Sequence, residues 1–208
     1  MYLPKSFQQS DLQTLHAFMR RYPFATVISP HEGVHVSHIP LLVRPQPEGR
    51  GMVLGHVARA NHHWRAFDGD RTTVCVFHGP HAYISPSWYQ SLPAVPTWNY
   101  AVVHVSGRPR IVEDRGWMAN LMDQTLQEFE PALLDPEVRG HPPQELRAQL
   151  LQQIVGFEMP IDEIEGKFKL GQNRSAADQS SIAEHLRTQG GDDGPALVEL
   201  MRQWSTAR

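Results

Sequence analysis

The sequence predicts an α+β protein organised around an antiparallel sheet. Strand-like runs crowd the first half of the chain with only short helices among them, and helical runs dominate the end. That segregation suits helices beside an antiparallel sheet, whereas a doubly wound parallel sheet requires alternation. The glycine-rich first turn that accompanies doubly wound folds is also missing.

Periodicity and turn residues set the order of elements. Ser10-Asp11 can cap a helix, and Leu12, Leu15, Phe18, Met19 and Tyr22 continue it as an apolar stripe until Pro23. Phe24–Ser29 reads as a strand, His31-Glu32-Gly33 as a turn and Val34–Arg44 as a second strand. Met52–Val57 is a third, after the loop 45–51. Asn61 reads as the N-cap of a short helix carrying Trp64 and Phe67 on one face. Thr72–His78 is the next strand, and His81–Ile84 extends the sheet beyond Gly79-Pro80. Residues 85–96 hold too much proline for a central strand. Thr97–Ser106 is a long strand, Gly107 a bulge or bend, and Arg110–Glu113 its continuation. Helices are predicted over Gly116–Phe129, Gln144–Val155, Ala176–Leu186 and Ala196–Trp204. A proline-rich connection fills 130–143, and a mixed stretch with one further strand fills 156–170.

Composition narrows the class. A chain of 208 residues with 40% hydrophobic and 20% charged residues is globular, with room for a core and a buried ligand. It suits one compact domain, or one domain with an appended helical segment. The formal charge of −3 and the pI near 6.4 lack the basic excess of a non-specific nucleic-acid binder. Cys75 is the single cysteine, so no disulfide forms within the chain and the cytoplasm is the expected compartment. It lies in the apolar run Val74–Phe77 and reads as a small core residue. The N-terminus shows no apolar signal region, and no run reaches the ~20 apolar residues of a membrane helix.

Three segments could carry chemistry. In residues 55–64 (GHVARANHHW) a strand ends, Arg59 follows, and a helix starts at Asn61. A forked guanidinium beside free helix-start N–H groups makes a phosphate seat, although a surface arginine next to an ordinary N-cap has the same spacing. Thr97-Trp98-Asn99-Tyr100 opens a strand with an aromatic and an amide, which can stack on a ring and read its edge; a core or interface tryptophan fits equally. Residues 166–174 (GKFKLGQNR) are polar and basic and could cover an anionic ligand, or form a solvated turn.

Other chemistries find less in the sequence. Of twelve histidines, His35 and His38 sit at odd spacing on opposite faces of one strand, His78 and His81 flank a Gly-Pro pair, and His62 and His63 are adjacent. No HExxH or paired CxxC marks a zinc site, and no GxSxG elbow marks a nucleophile. The terminal helices are joined by the long, acidic stretch 189–194, unlike the short turn of a helix-turn-helix.

The segments HVARANHHW (56–64), YISPSWY (83–89), VPTWNYAVVHVSG (95–107) and GKFKLGQNRSAAD (166–178), with the opening MYLPKSF, closely resemble the PaiB family of FMN-binding negative transcriptional regulators. The resemblance covers nearly the whole chain. It implies the FMN-binding split-barrel superfamily: a six-stranded antiparallel barrel over 1–130 and a mostly helical extension over 131–208. It also implies a homodimer with flavins at the subunit interface.

Carried over by position, the resemblance implies that Arg59 holds the flavin phosphate, with Asn61 and His56 close by. It puts His38 on the strand beneath the ring, Trp98 and Asn99 at the ring, and Lys167, Gln172 and Asn173 in a family motif at the cofactor. Related oxidases place a lysine after the phosphate arginine, where this chain has Ala60, which implies a weaker phosphate grip. The family role is repression of protease-production and sporulation genes. DNA binding follows from that label and not from the charge. The alternatives are a flavin-dependent oxidoreductase, with His38, His56 and Tyr100 as acid–base candidates, and a haem-binding or haem-degrading split barrel.

Overall fold

A two-residue strand, β1 (Gln8–Gln9), leads into helix α1 (Leu12–Arg21). The Asp11 carboxylate starts the helix by accepting the Thr14 N–H at 2.8 Å. The computed structural model describes residues 1–140 and 143–206, so residues 141–142 of the proline-rich connection lie outside it. Strands β2 (Phe24–Pro30) and β3 (Val34–Pro40) form a hairpin in which Thr26 faces His38 and Ser29 faces His35. Gly33, at φ 125°, makes the turn that L side chains resist.

The strand expected over Val34–Arg44 is two strands. β4 (Leu42–Arg44) belongs to a different sheet from β3. Pro40 has no N–H to continue the ladder, and the Leu41 N–H turns to the Pro23 carbonyl at 3.0 Å. β5 (Met52–Ala58) follows. The helix expected at Asn61 is a 3-10 turn of five residues, His62–Ala66. β6 (Thr73–Ile84) runs unbroken through Gly79-Pro80, where an interruption was expected. Gly79 serves packing there: a Cβ would stand 2.5 Å from the Phe18 ring.

β7 (Thr97–Gly107) is followed by β8 (Arg110–Val112), which joins the other sheet. Helix α2 (Arg115–Phe129) is capped by Asp114, and α3 (Gln144–Leu151) stops short of Val155 because Ile154 and Val155 are drawn into a strand. The mixed stretch holds two strands, β9 (Ile154–Pro160) and β10 (Glu163–Lys169). Helices α4 (Ala176–Gln189) and α5 (Gly194–Thr206) close the described chain. The sheets have six and four strands and antiparallel pairing, in place of one closed six-stranded barrel. The breaks at Leu41 and Gly107, where the chain leaves one sheet for the other, account for the difference.

Two compact units emerge. The first comprises Met1–Phe18, Phe77–His104 and the chain from Glu165 onward. Its strands follow the order β1-β10-β7-β6, and its core includes Phe168, Ile182, Leu186 and Leu197, all nearly inaccessible. The second comprises Met19–Val76 and Val105–Ile164. It holds the strand order β6-β2-β3 and the sheet β4-β5-β9-β8, with Val27, Val53, Phe67 and Phe157 at its centre. Helix α2 covers this second sheet through Met118 and Leu121, packed against Leu42 and Leu54. Cys75 is fully buried, as its apolar surroundings predict, and burial pushes its thiol up to about 12.

Candidate functional site

Arg59 leaves the end of β5 and reaches the carbonyls of the junction between α3, whose C-cap is Gln152, and β9, which opens at Ile154. Its backbone N–H donates to Gln153 O at 2.7 Å, its Nε to Gln152 O at 2.9 Å and its Nη2 to Ile154 O at 3.1 Å. Unpaired carbonyls make a helix C-terminus attractive to a cation, so this position is electrostatically favourable. Trp64 fixes the same segment by donating its indole N–H to Arg59 O at 3.0 Å. Among the described residues the Nη1 group meets no acceptor.

Arg59 and Trp64 line a cavity of about 630 Å³ in the second unit. Its other walls are apolar groups of β8, α2, α3 and β9, together with Arg115 and Glu113. The volume falls within the roughly 300–1,000 Å³ of small-molecule and cofactor sites. Two guanidiniums against one carboxylate suit an anion, and Met118, Leu151, Ile154 and Val155 suit a flat apolar body. A phosphorylated flavin fits this donor set.

Asn61 is the N-cap the sequence predicts: its Oδ1 accepts the His63 N–H at 3.1 Å. Its Nδ2 donates to Ser37 Oγ at 3.0 Å, so both ends of the amide serve the fold. Five residues of 3-10 turn supply a much smaller dipole than the expected α-helix. Behind the cap lies a buried polar chain. His63, 2% exposed, has Nδ1 at 2.8 Å from Ser37 Oγ and Nε2 at 2.9 Å from Ser29 Oγ, and Ser29 Oγ meets Thr73 Oγ1 at 2.7 Å. Burial, reinforced by His35, pushes His63 down to about 4, so the ring is neutral at pH 7.

The remaining candidates of this unit lie on strand faces. His38 is exposed, with Nδ1 3.0 Å from Thr26 Oγ1 and its ring stacked on Phe24. His56 is half-buried on β5 beside Leu54, and burial lowers its pKa. Among the described residues no group of three His, Cys, Asp or Glu side chains could hold a metal ion.

The first unit holds the other expected residues. Trp98 and Asn99 are successive in β7 and so take opposite faces. Trp98, 53% exposed, lines a cleft of about 580 Å³ with Tyr83, Trp88 and His81. Asn99 is 3% exposed and lines a smaller cavity with Asn173. Lys167 donates to the Tyr2 carbonyl at 3.0 Å and lies over the Tyr2 and Tyr100 rings. Gln172 staples its own turn: Oε1 accepts the Leu170 N–H at 2.8 Å, and Nε2 donates to Phe168 O at 2.6 Å. Arg115 and Ser37 carry no local signal in the sequence, and His63 stands out only within the 55–64 motif and as the neighbour of His62, because their surroundings depend on long-range packing. Lys169 and Arg174 lay within the basic motif, and their charge was the available signal.

A family profile described as "Putative FMN-binding domain" matches residues 1–163. Over 202 residues the chain is 32% identical to the Bacillus subtilis (strain 168) protein named "Protease synthase and sporulation protein PAI 2", covering 97% of this chain and 96% of that one. Among solved structures, the flavocytochrome Anf3 from Azotobacter vinelandii matches with a TM-score of 0.61 at 16% identity, over 78% of this chain and 69% of that chain. The FAD and heme binding protein from Mycobacterium smegmatis matches with a TM-score of 0.57 at 15% identity, over 84% and 78%. At such identities these two likenesses show the fold alone. The family profile and the full-length relative agree with the motifs quoted above, and the chain belongs to the FMN-binding-domain family that includes the Bacillus protein.

Proposed function

We propose that this protein binds FMN at the cavity of the second unit, with Arg59 and Arg115 as its phosphate ligands. The observation that carries the reading is the lining: two arginines, against the single carboxylate of Glu113, in an otherwise largely apolar space of about 630 Å³. Arginine presents a planar fork of donors that matches phosphate oxygens. Met118, Leu151, Ile154 and Val155 would exclude water from the ring. The flavin supplies electron- and hydride-transfer chemistry, and the protein holds and orients it.

The name of the Bacillus relative supports a part in protease production and sporulation, and the resemblance to negative transcriptional regulators makes that part a regulatory one in this reading. With a net charge of −3, the chain acts in this reading through a partner or through flavin state, in the cytoplasm. A homodimer is part of the proposal. The β2–β3 hairpin exposes Phe24 at 66%, Val34 at 72% and Val36 at 54%, an apolar face of the kind that subunits cover.

Absorption spectroscopy before and after FMN addition, followed by gel filtration, tests the reading. Flavin bands retained at one FMN per subunit in a dimer-sized peak are expected. A colourless protein that releases all added FMN contradicts it. Anaerobic bleaching of retained flavin by NADH or NADPH would favour the oxidoreductase alternative.

A further inference from the structure

We propose that the first unit carries a separate site for a phosphate-type oxyanion, formed by Asn99, Lys169, Asn173 and Arg174. The proposal does not rest on the flavin reading. These four side chains line one cavity of about 90 Å³ together with Thr97 and Tyr89. That space admits a single oxyanion group, with the remainder of any larger ligand lying outside it.

The cavity offers donors in excess. Asn99 is 3% exposed, and among the described residues its buried Nδ2 has no hydrogen-bond partner. An unpaired buried amide N–H is destabilising, so an acceptor there would be bound with that cost relieved. Lys169 Nζ donates to Thr97 Oγ1 and Trp98 O and keeps a third proton. The Arg174 guanidinium stacks 4.6 Å from the Tyr89 ring centroid, and among the described residues its N–H groups meet no acceptor.

Charge points the same way. No carboxylate lines the cavity. Burial, then the neighbouring charges of Lys167 and Arg174, holds the Lys169 ammonium below its ordinary range. Cations crowded without a counter-charge are stabilised by an anion.

The turn that presents these groups is braced. Gly171 adopts φ 77°, and a Cβ there would sit 3.6 Å from Asn99 Nδ2. The Gln172 staple and the Arg174 N–H to Gly171 O bond at 2.9 Å close the turn. Gln172 is therefore a positioning residue for Asn173 and Arg174.

Isothermal titration of the full chain with inorganic phosphate, in a buffer without oxyanions, tests the site. Saturable binding is expected. Asn99→Asp, isosteric but carrying a repelling carboxylate, and Arg174→Gln should each weaken it at least tenfold. Arg174→Gln removes no buried hydrogen bond, so it stays informative if Asn99→Asp fails to fold. Absence of saturable heat in the parent protein overturns the proposal, as does unchanged affinity in Arg174→Gln. Competition identifies the source. Displacement of phosphate by FMN but not riboflavin supports the site as one for a phosphate monoester, and no displacement by either supports a site for the free ion.

Discussion

The guanidinium of Arg59 donates through Nε to the Gln152 carbonyl at 2.9 Å, at the end of α3. One side chain thus closes a helix terminus and lines the proposed cofactor cavity. Arg59→Ala should weaken FMN binding by roughly ten- to a hundredfold, the effect of losing about 1.5–3 kcal/mol from a charge-assisted contact. It should also lower thermal stability, because the carbonyls of Gln152 and Ile154 lose their donor. Arg115→Ala separates the two roles. It should reduce FMN affinity by about tenfold while leaving the melting temperature unchanged. Fluorescence titration with melting curves checks both, and unchanged affinity in both variants would reject the phosphate assignment.

His63 makes stability depend on pH. Its pKa falls from an ordinary 6.5 to about 4 in the fold. Below pH 6.5 the unfolded chain takes up a proton that the folded chain refuses. Stability is therefore fully present above 6.5 and declines as pH falls toward 4, by up to about 3 kcal/mol. Half-buried His56 and His104, lowered in the same direction by burial, add to the decline. Urea unfolding at pH 7 and pH 5 should show the loss, and His63→Gln should flatten it. Equal stability at both values in the parent protein would contradict the buried, neutral ring.

Gly107 should tolerate no side chain. A Cβ there would stand 2.1 Å from the Pro160 carbonyl oxygen and 2.9 Å from the Met159 side chain. Backbone cannot yield as a flexible side-chain tip can. Gly107→Ala is expected to cost at least about 2 kcal/mol in chemical denaturation. A neutral effect would mean that β7 and β9 are less closely apposed.

The ring contact implied for Trp98 is tested by Trp98→Ala. The indole is half-exposed and meets Tyr83 edge-on at 6.0 Å. Trp98 lines the first-unit cleft and not the proposed cavity, so an unchanged flavin spectrum is expected. A shifted absorption band or relieved fluorescence quenching would instead bring Trp98 to the flavin and count against the cavity as the ring's site.

Local signals in the sequence carried much of the fold. Asp11 and Asn61 cap as their positions suggest, accepting backbone N–H groups three and two residues on, and Asp114 caps α2 in the same way without having been read as a cap. The transfers between sheets were hidden. Val34–Arg44 alternates like one strand, and only the missing Pro40 N–H, seen with the Pro23 carbonyl beside Leu41, explains the break. Gly107 was legible as a bulge or bend, and the chain does leave one sheet for the other there; its close approach to the Pro160 carbonyl was not legible. In the site, Arg59 was legible from its strand-to-turn position, whereas its partner Gln152 lies 93 residues away. Gln172 shows the limit of reading side chains as ligands, since an amide that can bind a cofactor can equally brace its own turn.

The most direct test is a paired titration of the parent protein with FMN and riboflavin, which differ by the phosphate alone. Recognition through Arg59 and Arg115 predicts FMN binding at least tenfold tighter, with the gap shrinking in Arg115→Ala. Equal affinity for the two flavins, or a gap untouched by Arg115→Ala and Arg59→Ala, would contradict it.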